Sequence, residues 1–197
     1  ALEAPVQHYK IKLINFVCPF LHREGHCCLN LKIMKERKFQ FSYKILKDIV
    51  ELNENDAALL QQARKVTKKA YAPYSRFNVA CAAKLENGRT VIGTNQENAS
   101  YPVGICAERA LLATVGTQYT DEPIETLAIS YHALDGESNH PISPCGMCRQ
   151  ALTEYEKRTG KPIRLILSGM EGDIYIVNSA KDLLPLAFSN EDLGKDE

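Results

Sequence analysis

Pro144-Cys145-Gly146-Met147-Cys148-Arg149-Gln150 is the stretch on which the reading of this chain turns, and Cys106-Ala107-Glu108-Arg109 stands 39 residues upstream of its first cysteine. A lone Cys-x-x-Cys is ambiguous between redox and metal roles, but a third cysteine followed two positions later by an acid is not. Both segments sit where apolar periodicity starts a helix. The positive end of a helix dipole favours the thiolate form that a metal requires, so three sulfurs converging from two helix starts make a zinc site of Cys106, Cys145 and Cys148. A structural zinc would ask for a fourth protein ligand. Cys81, His132 and His140 are the candidates, and none has a ligand's spacing. Three ligands leave one position open for water, the catalytic arrangement, with Glu108 placed beside that water as general acid/base.

Outward from these motifs the chain alternates strands and helices. Phe39, Phe41, Tyr43 and Ile45 alternate with polar residues, predicting a half-buried strand over 38–45. Asn53-Glu54-Asn55-Asp56 offers cap residues before Leu59, Ala63, Val66 and Ala70, an amphipathic helix that ends before Pro73. Strands are expected over 77–86 and 90–94, joined by a hairpin at Glu86-Asn87-Gly88, and over 126–134, 163–167 and 174–177. Helices are expected over 106–115 and from Cys145 to Gly160, where glycine ahead of Pro162 is a C-terminal stop. The pattern is α/β, with helices covering a mixed sheet.

Five ordered motifs then resemble one family, the short homotetrameric zinc-dependent cytidine deaminases. They are Ala72-Pro-Tyr-Ser-Arg-Phe77-Asn-Val79, Asn95-Gln-Glu97-Asn-Ala-Ser-Tyr-Pro102, the two cysteine segments, and the tail Leu183-Leu-Pro-Leu-Ala-Phe188. His or Cys, then x-Glu, then Pro-Cys-x-x-Cys is the ordering used by zinc deaminases. The resemblance spans Asn53 to Gly194. It implies a three-layer α/β/α fold with a mixed, roughly five-stranded sheet, one Zn²⁺ per subunit on Cys106, Cys145 and Cys148, and Glu108 as proton shuttle. It further implies that Asn95 and Glu97 grip the ribose hydroxyls, that Phe77 packs on the pyrimidine, and that the Ala107 backbone N–H meets the base carbonyl. Tyr101 and Phe188 match residues that complete a neighbouring subunit's pocket in a homotetramer. The implied reaction is hydrolytic deamination of cytidine and deoxycytidine to uridine and deoxyuridine by a zinc-held hydroxide, a step of cytoplasmic pyrimidine salvage. The alternatives are a related deaminase acting on another cytosine compound, such as a nucleoside antibiotic, and a non-catalytic zinc-stabilised module. Three thiolates over-neutralise Zn²⁺, so Arg109, one helical step past Glu108, is expected to draw charge from the sulfurs. The family usually has Gly-Ala where this chain has Ala80-Cys81, and Cys81 is expected in the core.

Composition narrows the partners. The 197 residues carry 24 basic and 24 acidic side chains, which argues for a small neutral substrate and against nucleic acid. No apolar run is long enough to span a membrane. Seven cysteines, an odd number, point to a reducing compartment. The apolar run Leu13–Leu21 is interrupted by Asn15 and Pro19 and followed by His22-Arg-Glu-Gly-His26, so it is not read as a signal peptide. Cys18, His22, His26, Cys27 and Cys28 fit no metal template, and His132 and His140 are expected at the surface. Residues 1–33 are expected to be an extension without functional role, residues 34–52 an extra strand and lead-in, and residues 53–194 the catalytic domain.

Overall fold

The computed structural model describes residues 36–194. The expectations for residues 1–33, including the rejected second metal site, lie outside the described residues. From Phe39 onward the described residues form one compact unit.

The elements are β1 (Tyr43–Leu46), α1 (Glu54–Val66), β2 (Phe77–Leu85), β3 (Thr90–Thr94), α2 (Ala107–Gln118), β4 (Ile124–Ala133), α3 (Gly146–Thr159), β5 (Arg164–Ser168) and β6 (Ile174–Val177). The strands form one sheet in the order β1-β6-β5-β4-β2-β3. All pairs are antiparallel except β4 with β5, whose parallel register, Thr126 opposite Arg164, requires the crossover that α3 provides. Adding β1 makes the sheet six-stranded.

Period-two alternation in the central strands sorts their side chains into two cores. Cys81, Ala83, Leu127, Ile129, Leu165 and Leu167 face α2 and α3 and pack with Leu111, Val115 and Leu152. Their neighbours Ala82, Ala128 and Ile166 face the other way, onto Leu59, Leu60 and Ala63 of α1. The result is helix, sheet, helix. Asn53 caps α1 by accepting the Asp56 N–H at 2.9 Å, and Gly160 ends α3 in the left-handed conformation with φ 65°.

β1 departs from expectation in two ways. It is confined to Tyr43–Leu46 because β6 offers only Ile174–Val177 to pair with it. Its aromatic face is also not half-buried: Phe39, Phe41, Tyr43 and Ile45 are each at least 40% exposed, and it is Leu46, on the opposite face, that packs against the α1 core. Among the described residues no helix lies over that end of the sheet, and the ring contact between this face and another strand is that of Tyr43 with Tyr175 of β6, centroids 5.0 Å apart. Ala80 has ordinary extended backbone in β2, so the departure from Gly-Ala carries no strain. Cys81 is fully buried and its thiol lies 3.7 Å from the Gly93 carbonyl; burial, reinforced by nearby Glu108, pushes that thiol far up and makes it a core residue.

Candidate active site and metal centre

Cys106 is the N-cap of α2 and Cys145 the N-cap of α3, both with extended backbone. Neither thiol caps its helix as a serine or aspartate would, so both sulfurs remain available. Cys148 lies one turn into α3, fully buried. The two helix starts converge because α2 and α3 lie on the same face of the sheet. α2 approaches β3 so closely that a side chain at Gly93 would collide with the Ala107 carbonyl and come within 2.7 Å of the Leu111 backbone nitrogen.

The Sγ atoms of Cys106 and Cys145 are 3.7 Å apart and those of Cys145 and Cys148 3.4 Å, with all three within 4.8 Å of one another. Tetrahedral zinc with sulfur at ~2.3 Å asks for sulfurs roughly 3.8 Å apart, so the cluster fits that ion. All three cysteines are free of disulfides, and among the described residues no other group of His, Cys, Asp or Glu is so arranged. Cys81, His132 and His140 do not join it, leaving three protein ligands. The Cys106 thiol is drawn down to about 6 by donation from Cys148 and also from Cys145 and by the charge of Arg109, while burial works against it. Donation to Cys106, together with burial and nearby Glu108, pushes the Cys148 thiol up.

Glu108 is 5% exposed, in the first turn of α2. Burial, with Cys106 adding in the same direction, pushes its carboxyl up; its own backbone N–H and Cys148 pull the other way. A buried carboxyl raised toward neutrality is suited to accept and return a proton. Arg109 is half-buried, and its charge favours the Cys106 thiolate.

The second group of residues is joined to the cysteines by short backbone pairing. Gln96 exchanges both main-chain hydrogen bonds with Ile105, at 2.9 and 3.0 Å, which sets the 95–97 segment beside the residue preceding Cys106. Asn95 accepts the Val79 N–H at 2.8 Å and donates to the Phe77 carbonyl at 2.9 Å, which leaves one amide hydrogen uncommitted. Glu97 accepts the backbone N–H of Tyr74 at 2.9 Å and of Ser75 at 3.2 Å; bonding to Ser75, from its side chain first, holds its carboxyl below the usual range although burial opposes this. Glu97 thus shapes the turn before β2, and it lines a cavity of about 380 Å³ with Tyr74, Ser75, Asn98, Tyr101 and Gly104. A larger cavity, about 540 Å³, surrounds the Asp56–Arg164 ion pair and includes none of the candidate residues. Phe77 is half-buried, Tyr101 and Phe188 are 76% and 59% exposed, and Ala107, the first residue of α2, is fully buried.

Three participants were not singled out from the sequence. Ser75 and Tyr74 bind Glu97 from inside the quoted 72–79 motif, where they could have been noticed. Arg149, inside the 144–150 motif, donates to the Pro144 carbonyl at 2.8 Å and to the Leu183 carbonyl at 3.1 Å, tying the cysteine loop to the tail.

The family profile described as the cytidine and deoxycytidylate deaminase zinc-binding region matches residues 53–160. The chain belongs to that family. It is 36% identical over 135 residues to the cytidine deaminase of Halalkalibacterium halodurans, covering 68% of this chain and 95% of that protein. It is 35% identical over 137 residues to that of Mycobacterium tuberculosis, covering 68% and 90%. Among solved structures, the cytidine deaminase of Burkholderia pseudomallei superposes with a TM-score of 0.58 at 37% identity, covering 70% of this chain and all of that one. That of M. tuberculosis gives 0.53 at 29% identity, covering 70% and 99%. The three-layer architecture and the zinc-type cysteine cluster are thus those of the cytidine deaminase family. Among the described residues no helix is long and apolar enough to cross a membrane.

Proposed function

We propose that this chain deaminates cytidine and deoxycytidine hydrolytically, yielding uridine or deoxyuridine and ammonia, as a step of cytoplasmic pyrimidine salvage. The observation that carries the proposal is the buried Glu108 two residues from a cluster of exactly the three sulfurs needed to hold a metal while leaving it one open position.

Zn²⁺ held by Cys106, Cys145 and Cys148 would supply a Lewis acid that makes water a nucleophile at neutral pH. Glu108 would take a proton from the attacking water and deliver it to N3 of the ring as C4 is attacked, then take the remaining proton of the hydroxyl added at C4 and pass it to the amino group, which leaves as ammonia. Its burial keeps the proton on this path and out of bulk solvent. Arg109 moderates the charge on the sulfurs. Phe77 packs on the pyrimidine, the Ala107 N–H at the start of α2 receives the base carbonyl, and Asn95 and Glu97 hold the ribose hydroxyls, Asn95 through its uncommitted amide hydrogen. The high exposure of Tyr101 and Phe188 supports a homotetramer in which they complete a neighbour's pocket.

Loss of ultraviolet absorbance with cytidine and with deoxycytidine, run beside Glu108→Gln, tests this. Both nucleosides are expected to turn over, and Glu108→Gln to lose at least roughly 10²-fold in kcat with zinc retained. Turnover of neither, with zinc bound, overturns the proposal.

A further inference from the structure

The mechanism above gives Phe77 to the base but leaves open what holds its ring. Tyr131 of β4 does: the two rings are stacked with centroids 4.7 Å apart and planes 20° from parallel. The register explains the contact. Phe77 lies opposite Ala133 and Val79 opposite Tyr131, so Phe77 and Tyr131 are diagonal neighbours on one face of the sheet. Tyr131 itself has no freedom to tilt. It is 1% exposed, its hydroxyl lies 3.1 Å from Nδ1 of His140, and the imidazole meets its ring edge-on at 5.6 Å.

The main chain around Phe77 is fixed from other directions. Its N–H donates to Ser75 Oγ at 3.1 Å and its carbonyl accepts from Asn95. Arg76 before it adopts a left-handed φ of 54°, held by the Leu134 N–H on its carbonyl at 2.9 Å and by the ion pair with Asp135. These bonds place the Phe77 Cα and leave the plane of its ring to be set by what the ring stacks on, Tyr131. A rigid ring stacked on one side presents a defined surface on the other, at low entropic cost to a planar ligand.

We propose that Tyr131 is a positioning residue for base recognition, setting the plane of Phe77 against the pyrimidine without touching substrate. This rests on the reading of Phe77 as the residue that packs on the base. Tyr131 stacks on Phe77 and bonds to His140, neither of which belongs to the cysteine cluster or the proton shuttle, so its loss is expected to weaken binding of the base and leave the chemical step alone.

The test is a double-mutant cycle on Phe77 and Tyr131, with KM and kcat for cytidine, zinc content and thermal midpoint measured for each variant. Tyr131→Leu is expected to raise KM roughly tenfold, with kcat within about twofold and zinc retained. Tyr131→Phe, which keeps the stacked ring, should restore KM to within about threefold of the parent. Phe77→Leu should also raise KM, and adding Tyr131→Leu to it should raise KM little further. An unchanged KM in Tyr131→Leu, or additive effects in the double variant, overturns the inference. If Phe77→Leu leaves KM unchanged, it is the assignment of Phe77 to the base that fails; if Phe77→Leu raises KM and Tyr131→Leu does not, only the role of Tyr131 fails. Tyr131→Met fills more of the site without a ring and carries the same comparison should the leucine variant not fold.

Discussion

Arg109 is the side chain proposed to matter to the metal without touching it. Its charge favours the Cys106 thiolate, and three thiolates around one divalent ion leave excess negative charge that a neighbouring cation relieves. Arg109→Ala is therefore expected to fold normally and to lose roughly 10- to 100-fold in zinc affinity or in turnover, read by competition with a chelating dye and by the absorbance assay. Unchanged values in both would remove Arg109 from the site. The same scale separates Cys81 from Cys106: Cys81 is buried in apolar surroundings with its thiol pushed up, whereas Cys106 stands at a helix start with its thiol drawn down to about 6.

Two elements deliver the cysteines, and each depends on a contact far from the metal in sequence. α2 lies directly on β3 because Gly93 has no side chain. Gly93→Ala would drive a methyl into the Ala107 carbonyl and the Leu111 backbone, displacing the turn that carries Cys106 and Glu108. We expect a loss of about 1–3 kcal/mol in urea unfolding, with zinc content falling as well. At the other end of α3, the buried Glu156 carboxylate accepts the N–H of Ile163 at 2.6 Å, of Ala180 at 2.7 Å and of Lys181 at 3.2 Å, and the Ser179 hydroxyl at 3.0 Å. Glu156→Ala strands those donors and should cost about 3 kcal/mol, while the folded, zinc-loaded fraction keeps its specific activity because the contact lies away from the cysteines. A variant as stable as the parent would show that the carboxylate's bonds are replaced by water.

At the scale of the whole molecule, the surface argues for assembly. Leu186, Phe188 and Tyr101 are all largely exposed within one chain, and Leu186 is held at a left-handed φ of 58°. The Phe188 main chain is nonetheless anchored, its carbonyl accepting from Gln150 of α3 at 2.8 Å. An apolar side chain presented on a fixed backbone is suited to insert into a neighbour. Light scattering is expected to report four copies, and Phe188→Ala to preserve that assembly while lowering kcat/KM roughly tenfold. A fully active monomer would remove the shared pocket. A version lacking residues 1–33 is expected to match the full chain in both measurements.

Much of this was readable along the chain because its signals are local. A cap residue ahead of apolar periodicity placed α1, and Gly160 ahead of Pro162 placed the end of α3. The spacing of three cysteines and one acid implied the metal and its proton carrier. Ligand identity and helix phase are properties of neighbouring residues, and they survive being read in one dimension. What could not be read there depends on residues brought together across the sheet. The exposure of β1's aromatic face follows from the absence, among the described residues, of an element to cover it, which no alternation reveals. The commitment of Asn95 to Phe77 and Val79, of Glu97 to the turn at Tyr74, and of Tyr131 to Phe77 arises from strand register. Register is set by packing across the whole sheet, and it converts a list of chemically apt residues into a site with a shape.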